Sequence, residues 1–125
     1  MNRKAETGGT VVIDSYTIAQ SIAHYGAETQ KIVCMEECAE LIQAISKTMR
    51  GEDFLTRTHL VEEMADVTIC LEMLQQIYGI ADCDLAEWIE DKQKRTRLRM
   101  EQERAQKTIP GENPGEKRQQ EGSHA

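Results

Sequence analysis

Aromatic residues are scarce in this chain: one Trp, one Phe and three Tyr, 4% of the sequence. A core built on large rings is therefore excluded, and any core must be aliphatic. No apolar run approaches the roughly 18–20 residues that cross a bilayer, and the first residues lack the hydrophobic centre of a signal peptide. A soluble, cytoplasmic protein is the expectation. Cations are outnumbered, 15 Lys and Arg against 22 Asp and Glu, for a formal charge of −7. That balance argues against a general nucleic-acid or acidic-membrane binder, because phosphate neutralisation needs a basic field. There is no Cys-x-x-Cys, and no small disulfide framework of the secreted kind. Strand signals are nearly absent, the brief Val11–Ile13 run excepted.

What remains is a helical pattern in 125 residues, enough for one domain. Residues 1–13 read as a flexible leader. Asp14 is an N-cap for a first helix through Ile18, Ile22 and Tyr25, stopped at Gly26. A second helix runs from about Ala27 to Met49, with Gly51 just past its end. Ile32, Met35, Ala39 and Ile42 give this helix a second apolar face, which suits a central helix or one shared with another subunit. A third helix is expected from Thr56–Thr58 to Gly79. Asp84, with Glu87 three residues on, resembles a capping box opening a fourth, which Ile109-Pro110-Gly111 would end. Residues 108–125 carry no apolar periodicity and read as a disordered tail. Short connections predict an all-α, four-helix antiparallel bundle over residues 14–107.

Two acidic pairs carry the chemistry: Glu37-x-x-Glu40 and Glu63-x-x-Asp66. The i, i+3 spacing puts both members of a pair on one side of a helix. At about 100° per residue, Val33, Cys34, Glu40, Leu41, Ala44 and Ile45 fall within about 80° of Glu37. Around Glu63 the same count collects His59, Leu60, Asp66, Val67, Cys70, Leu74 and Ile77. Both pairs thus lie on the stripe each helix should bury. Glu36 projects beside Gln43 and Lys47 instead, and Glu62 is ambiguous between Ile69 and Met73.

No Lys or Arg sits three or four residues from any of the four acids, so neither helix neutralises its own pair. Two unit charges about 5.5 Å apart at an effective dielectric of about 20 repel by roughly 3 kcal/mol. Several such pairs rival the whole stability of a domain. Protonation, a cationic partner or a bound cation must offset this. An all-oxygen set favours magnesium, with manganese the alternative, over zinc or copper. Magnesium keeps several waters and commonly meets a substrate phosphate, so the chemistry points towards a nucleotide.

Other residues weigh less. Cys34, Cys38, Cys70 and His59 could assemble a zinc site on paper, although free cysteine mostly packs as a small hydrophobe. His59, one turn before Glu63, could pair with it or with a substrate. Met73 and Met100 read as packing residues. On the last helix Lys92, Arg95 and Arg99 continue the phase of Leu85, Trp88 and Ile89. Such a run is ordinarily a solvated face, or else it neutralises phosphate oxygens that a metal leaves uncovered.

The segments "YGAETQKIVCMEECAELIQAISKTMRG" (25–51), "LVEEMADVTICLEMLQQIYGI" (60–80) and "EWIEDKQKRTRLRM" (87–100) resemble the MazG-like, all-α nucleoside triphosphate pyrophosphohydrolases. The likeness covers about residues 15–105, and the two acidic motifs are specific mainly in their order and spacing. It implies hydrolysis of a phosphoanhydride, a nucleoside triphosphate giving the monophosphate and pyrophosphate. Magnesium would be held by Glu37, Glu40, Glu63 and Asp66, the catalytic set. It also implies substrate contacts at Gln30, Lys92 and Arg95, by looser alignment, and a homodimer or homotetramer. Three rivals stand beside it. A phosphoribosyl-ATP pyrophosphohydrolase shares the fold, and a non-catalytic helical interaction module would use the second face of helix two. A ferritin-like di-metal protein would need Glu-x-x-His motifs, which neither acidic pair supplies.

Overall fold

Residues 10–107 are described by the structure, a computed structural model. Helix α1, Ser15–Tyr25, starts where local chemistry places it. Extended Asp14 accepts from the Thr17 backbone N–H at 3.2 Å and from its hydroxyl at 2.6 Å, satisfying one of the amides a first turn leaves unpaired. Gly26 ends α1 at φ 93°, a conformation that suits a residue without Cβ, and its N–H reaches the Ile22 carbonyl at 2.8 Å. Helix α2, Ala27–Arg50, follows at once.

Helix α3 spans Phe54–Tyr78, so it begins earlier than the expected Thr56–Thr58. The reason is a reciprocal cap. Asp53 accepts from the Thr56 N–H at 2.8 Å, and the Thr56 hydroxyl accepts from the Asp53 N–H at 2.9 Å. Thr56 thus fills the place usually given to Glu or Gln. Gly79 closes α3 in the left-handed region, φ 64°, with its N–H directed at the Gln75 and Gln76 carbonyls. Helix α4, Asp82–Lys107, also starts early: Asp84 lies inside it, and Asp82 accepts from Gln75 Nε2 at 2.8 Å. The proposed stop at Ile109-Pro110-Gly111, the tail 108–125 and leader residues 1–9 lie outside the described residues. Of the expected leader, residues 10–13 carry no helix or strand, and Ile13 packs partly buried against the core.

The all-α expectation holds: four helices, no strand among the described residues, and helices packed on one another. Helices α2 and α3 run antiparallel, since Cys34 meets Cys70 and Met73 while Glu37 meets Asp66. Helix α1 closes over one end, with Ile18 and Ile22 joining Cys34, Cys70 and Met73 in a core of aliphatic and sulfur side chains. No described helix is long and apolar enough to cross a membrane.

All four cysteines are free. Cys34 Sγ lies 3.7 Å from the Cys70 carbonyl oxygen and 3.8 Å from Met73 Sδ. Burial first, then the Cys34 contact, push the Cys70 thiol up to about 12, so it stays neutral and packs as a hydrophobe. Met73, 5% exposed, packs as expected, whereas Met100 on α4 is 44% exposed. Met73→Ala should cost about 2–5 kcal/mol, from lost burial plus the cavity left behind. Urea unfolding followed by far-UV circular dichroism would measure it; an unchanged midpoint would contradict this core.

The chain divides into two compact units at Asp82/Cys83, the first holding α1–α3 and the second α4. Within α4 no residue is buried. Arg95 pairs with Asp91 at 2.6 Å, and the Lys92 ammonium sits 5.8 Å from the centre of the Trp88 ring.

Candidate metal centre

The antiparallel register of α2 on α3 sets Glu37 opposite Glu63 and Asp66. One carboxylate oxygen from each of these three lies within 4.8 Å of the other two. Two of the three belong to one turn of α3, as the i, i+3 spacing requires, and the third comes from α2. Glu63 is 4% exposed, while Glu37 and Asp66 are half-buried. Glu63 Oε2 and Glu37 Oε2 are buried without a hydrogen-bond partner. A buried oxygen that accepts nothing carries its whole desolvation cost.

The electrostatics follow from this crowding. Glu37 is raised to about 7, by burial first, then by the charges of Asp66 and Glu40, by its hydrogen bond with Asp66, and by Glu63. Glu63 is also raised, by burial and then by Glu40 and Asp66; His59 and the contact with Glu37 act in the opposite direction. His59 Nε2 stands 3.8 Å from Glu63 Oε1, so the pairing read from the one-turn spacing is present.

Glu40 departs from expectation. Although predicted to face inward, it is exposed and stays outside the three-ligand group. The buried and half-buried positions Gln30, Cys34, Glu37, Leu41 and Ala44 centre their stripe about 20° from Glu37, on the side away from Glu40. Glu40 therefore sits about 80° from that centre, at the rim, close enough to raise both Glu37 and Glu63 by its charge. Glu36 and Glu62 are exposed.

The other sequence candidates are not members of this group. Gln30 is 6% exposed, and its Nε2 donates to Ser21 Oγ at 3.3 Å, which makes it a tie between α1 and α2. Lys92 and Arg95 make their contacts within α4. The cysteine–histidine alternative does not assemble: among the described residues, the group able to hold a metal is the carboxylate trio.

Three carboxylates from two helices, two of them with orphaned buried oxygens, fit a hard divalent cation such as magnesium or manganese. Without a cation, a proton on Glu37 relieves the crowding. Folded protein then holds a proton between pH 4.5 and about 7 that the unfolded chain has lost. Stability without metal should accordingly fall as pH rises from 4.5 through 7. Thermal melting across that window in chelator tests this, and a rising melting temperature would contradict it.

Comparison with protein families, with curated proteins and with solved structures finds no match to this chain.

Proposed function

We propose that this protein is a magnesium-dependent hydrolase that splits a nucleoside triphosphate into the monophosphate and pyrophosphate, working as a homodimer or homotetramer. The observation that carries the reading is the trio Glu37, Glu63 and Asp66, with oxygens gathered within 4.8 Å and Glu63 Oε2 buried and unpartnered. The reaction itself comes from the likeness of segments 25–51 and 60–80 to MazG-like pyrophosphohydrolases. An oligomer is supported by the open apolar face of α2, where Met35 and Ile42 are 65% and 68% exposed.

Glu37, Glu63 and Asp66 would hold the cation. When bound there, the cation supplies charge for phosphoryl oxygens and a lowered pKa for a coordinated water. His59 Nε2 stands 3.8 Å from Glu63 Oε1, and Glu63 Oε2 is buried without a hydrogen-bond partner. Glu37 gives up its proton when the site is filled, so occupancy should strengthen with pH up to about 7. Glu40, at the rim and outside the group, is the carboxylate available to take a proton from an attacking water. In-line attack at the α-phosphorus then releases pyrophosphate.

The direct test is a panel of natural and damaged nucleoside triphosphates, with phosphoribosyl-ATP alongside, scored for magnesium-dependent pyrophosphate release. Turnover of at least one free triphosphate is expected. Turnover of phosphoribosyl-ATP alone would reassign the substrate, and no release from any compound would leave a helical interaction module.

A further inference from the structure

The middle of α4 concentrates charge of the sign this chain otherwise lacks. From Lys92 to Arg99, five of eight residues are cations (Lys92, Lys94, Arg95, Arg97 and Arg99) and none is an acid, in a chain of charge −7. The acids of α4 stand to either side, ending at Asp91 before the stretch and resuming at Glu101 after it. Every residue from Lys92 to Met100 is exposed. Asp91 holds Arg95, and Lys92 sits over the Trp88 ring. Lys94, Arg97 and Arg99 form no ion pair among the described residues. Five like charges on about 11 Å of helix repel one another, a cost that an anionic ligand removes.

Their arrangement around the helix indicates the shape of that ligand. At about 100° per residue, Lys92, Arg95 and Arg99 fall within about 60° of one another, and Lys94 and Arg97 form a second row on the opposite side. The broader arc between the rows holds Gln93, Thr96 and Met100, all uncharged. A triphosphate or a flat anionic surface touches one row and leaves the other in water. A groove walled by phosphates touches both. The major groove of B-form DNA is about 12 Å wide and admits a helix about 10–12 Å across, with the uncharged arc turned to the base edges. In duplex RNA the A-form major groove is too deep and narrow for this.

We propose that residues 92–100 of α4 are a docking surface for double-stranded DNA. The helix lies in the major groove with Lys92, Arg95 and Arg99 on one phosphate backbone and Lys94 and Arg97 on the other. The inference goes beyond the hydrolase reading, which uses only Lys92 and Arg95, and stands without it. Acids elsewhere in the chain oppose DNA, so the complex is modest in affinity and steeply dependent on salt. Five neutralised phosphates give log K against log salt a slope of about −4 to −5.

The test is fluorescence anisotropy of a labelled duplex of about 30 base pairs with the full chain, in chelator, between about 50 and 200 mM sodium chloride. Binding at the lower salt with that slope is expected. Lys94→Gln combined with Arg97→Gln should weaken it about tenfold or more and flatten the slope by about two. Pyrophosphate release and the far-UV spectrum of that variant should match wild type, and Asp66→Asn should bind the duplex unchanged. No binding at the lower salt overturns the proposal, and so does binding that the double variant leaves intact. Tighter binding to single-stranded RNA of equal length, or to phosphatidylserine vesicles, overturns it as well, by giving the cations to another anionic surface. None of these outcomes bears on the hydrolase, whose own test is product release.

Discussion

Asp66→Asn is expected to lower cation-dependent pyrophosphate release on the order of 10³-fold or more while the helices stay folded. Asn matches Asp in shape but removes the charge that completes the trio with Glu37 and Glu63. Because it also takes a negative charge away from two crowded carboxyls, the metal-free fold should not suffer: Asp66 is among the causes that raise Glu37 and Glu63. Loss of turnover with an unchanged far-UV spectrum and melting curve in chelator is the predicted pattern. Glu63→Gln should behave alike, since it neutralises the most buried member of the group. Full activity in both variants would remove the trio from the chemistry. Loss of activity together with loss of helicity would instead make these acids structural.

Magnesium should stabilise the wild-type fold strongly. A ligand at a hundred times its dissociation constant adds about 2.7 kcal/mol, which in a helical unit of this size raises the melting temperature by about 10–20 °C. Any salt will screen a molecule of charge −7, so the comparison must be made against sodium chloride of equal ionic strength. The predicted result is a large rise specific to magnesium or manganese in wild type, absent from Asp66→Asn and Glu63→Gln. Equal stabilisation by sodium at matched ionic strength would mean that screening, not a site, is at work.

These expectations rest on features of unequal visibility in the sequence. The start and stop of α1 were legible because Asp14 and Gly26 act on their own neighbours. The Gly79 stop was legible for the same reason. Helix α3 starts before the expected Thr56–Thr58 because its cap pairs Asp53 with a threonine, where a capping box ordinarily carries Glu or Gln. The trio was legible as far as helical phase goes: Glu37, Glu63 and Asp66 fall on stripes that must be covered. Phase does not say which flank of a stripe the neighbouring helix covers. That depends on the angle and register of α2 on α3, and it left Glu40 at the rim rather than inside. Gln30 shows the converse. The resemblance implies a substrate contact there, while the packed side chain donates to Ser21 across the α1–α2 junction. A lone polar residue on an apolar stripe carries no mark that separates these two roles.

The same limit explains the second face of α2. Its apolar residues were plain in sequence, but only the packing of α1 and α3 reveals that Met35 and Ile42 stay bare.

The most direct measurement is a crystal structure of the protein grown with manganese, with data collected at the metal's absorption edge. An anomalous peak bounded by the carboxylates of Glu37, Glu63 and Asp66, with the Glu63 Oε2 atom among its ligands, is the predicted result. Density showing those three side chains turned apart, with manganese elsewhere or nowhere, would contradict the account.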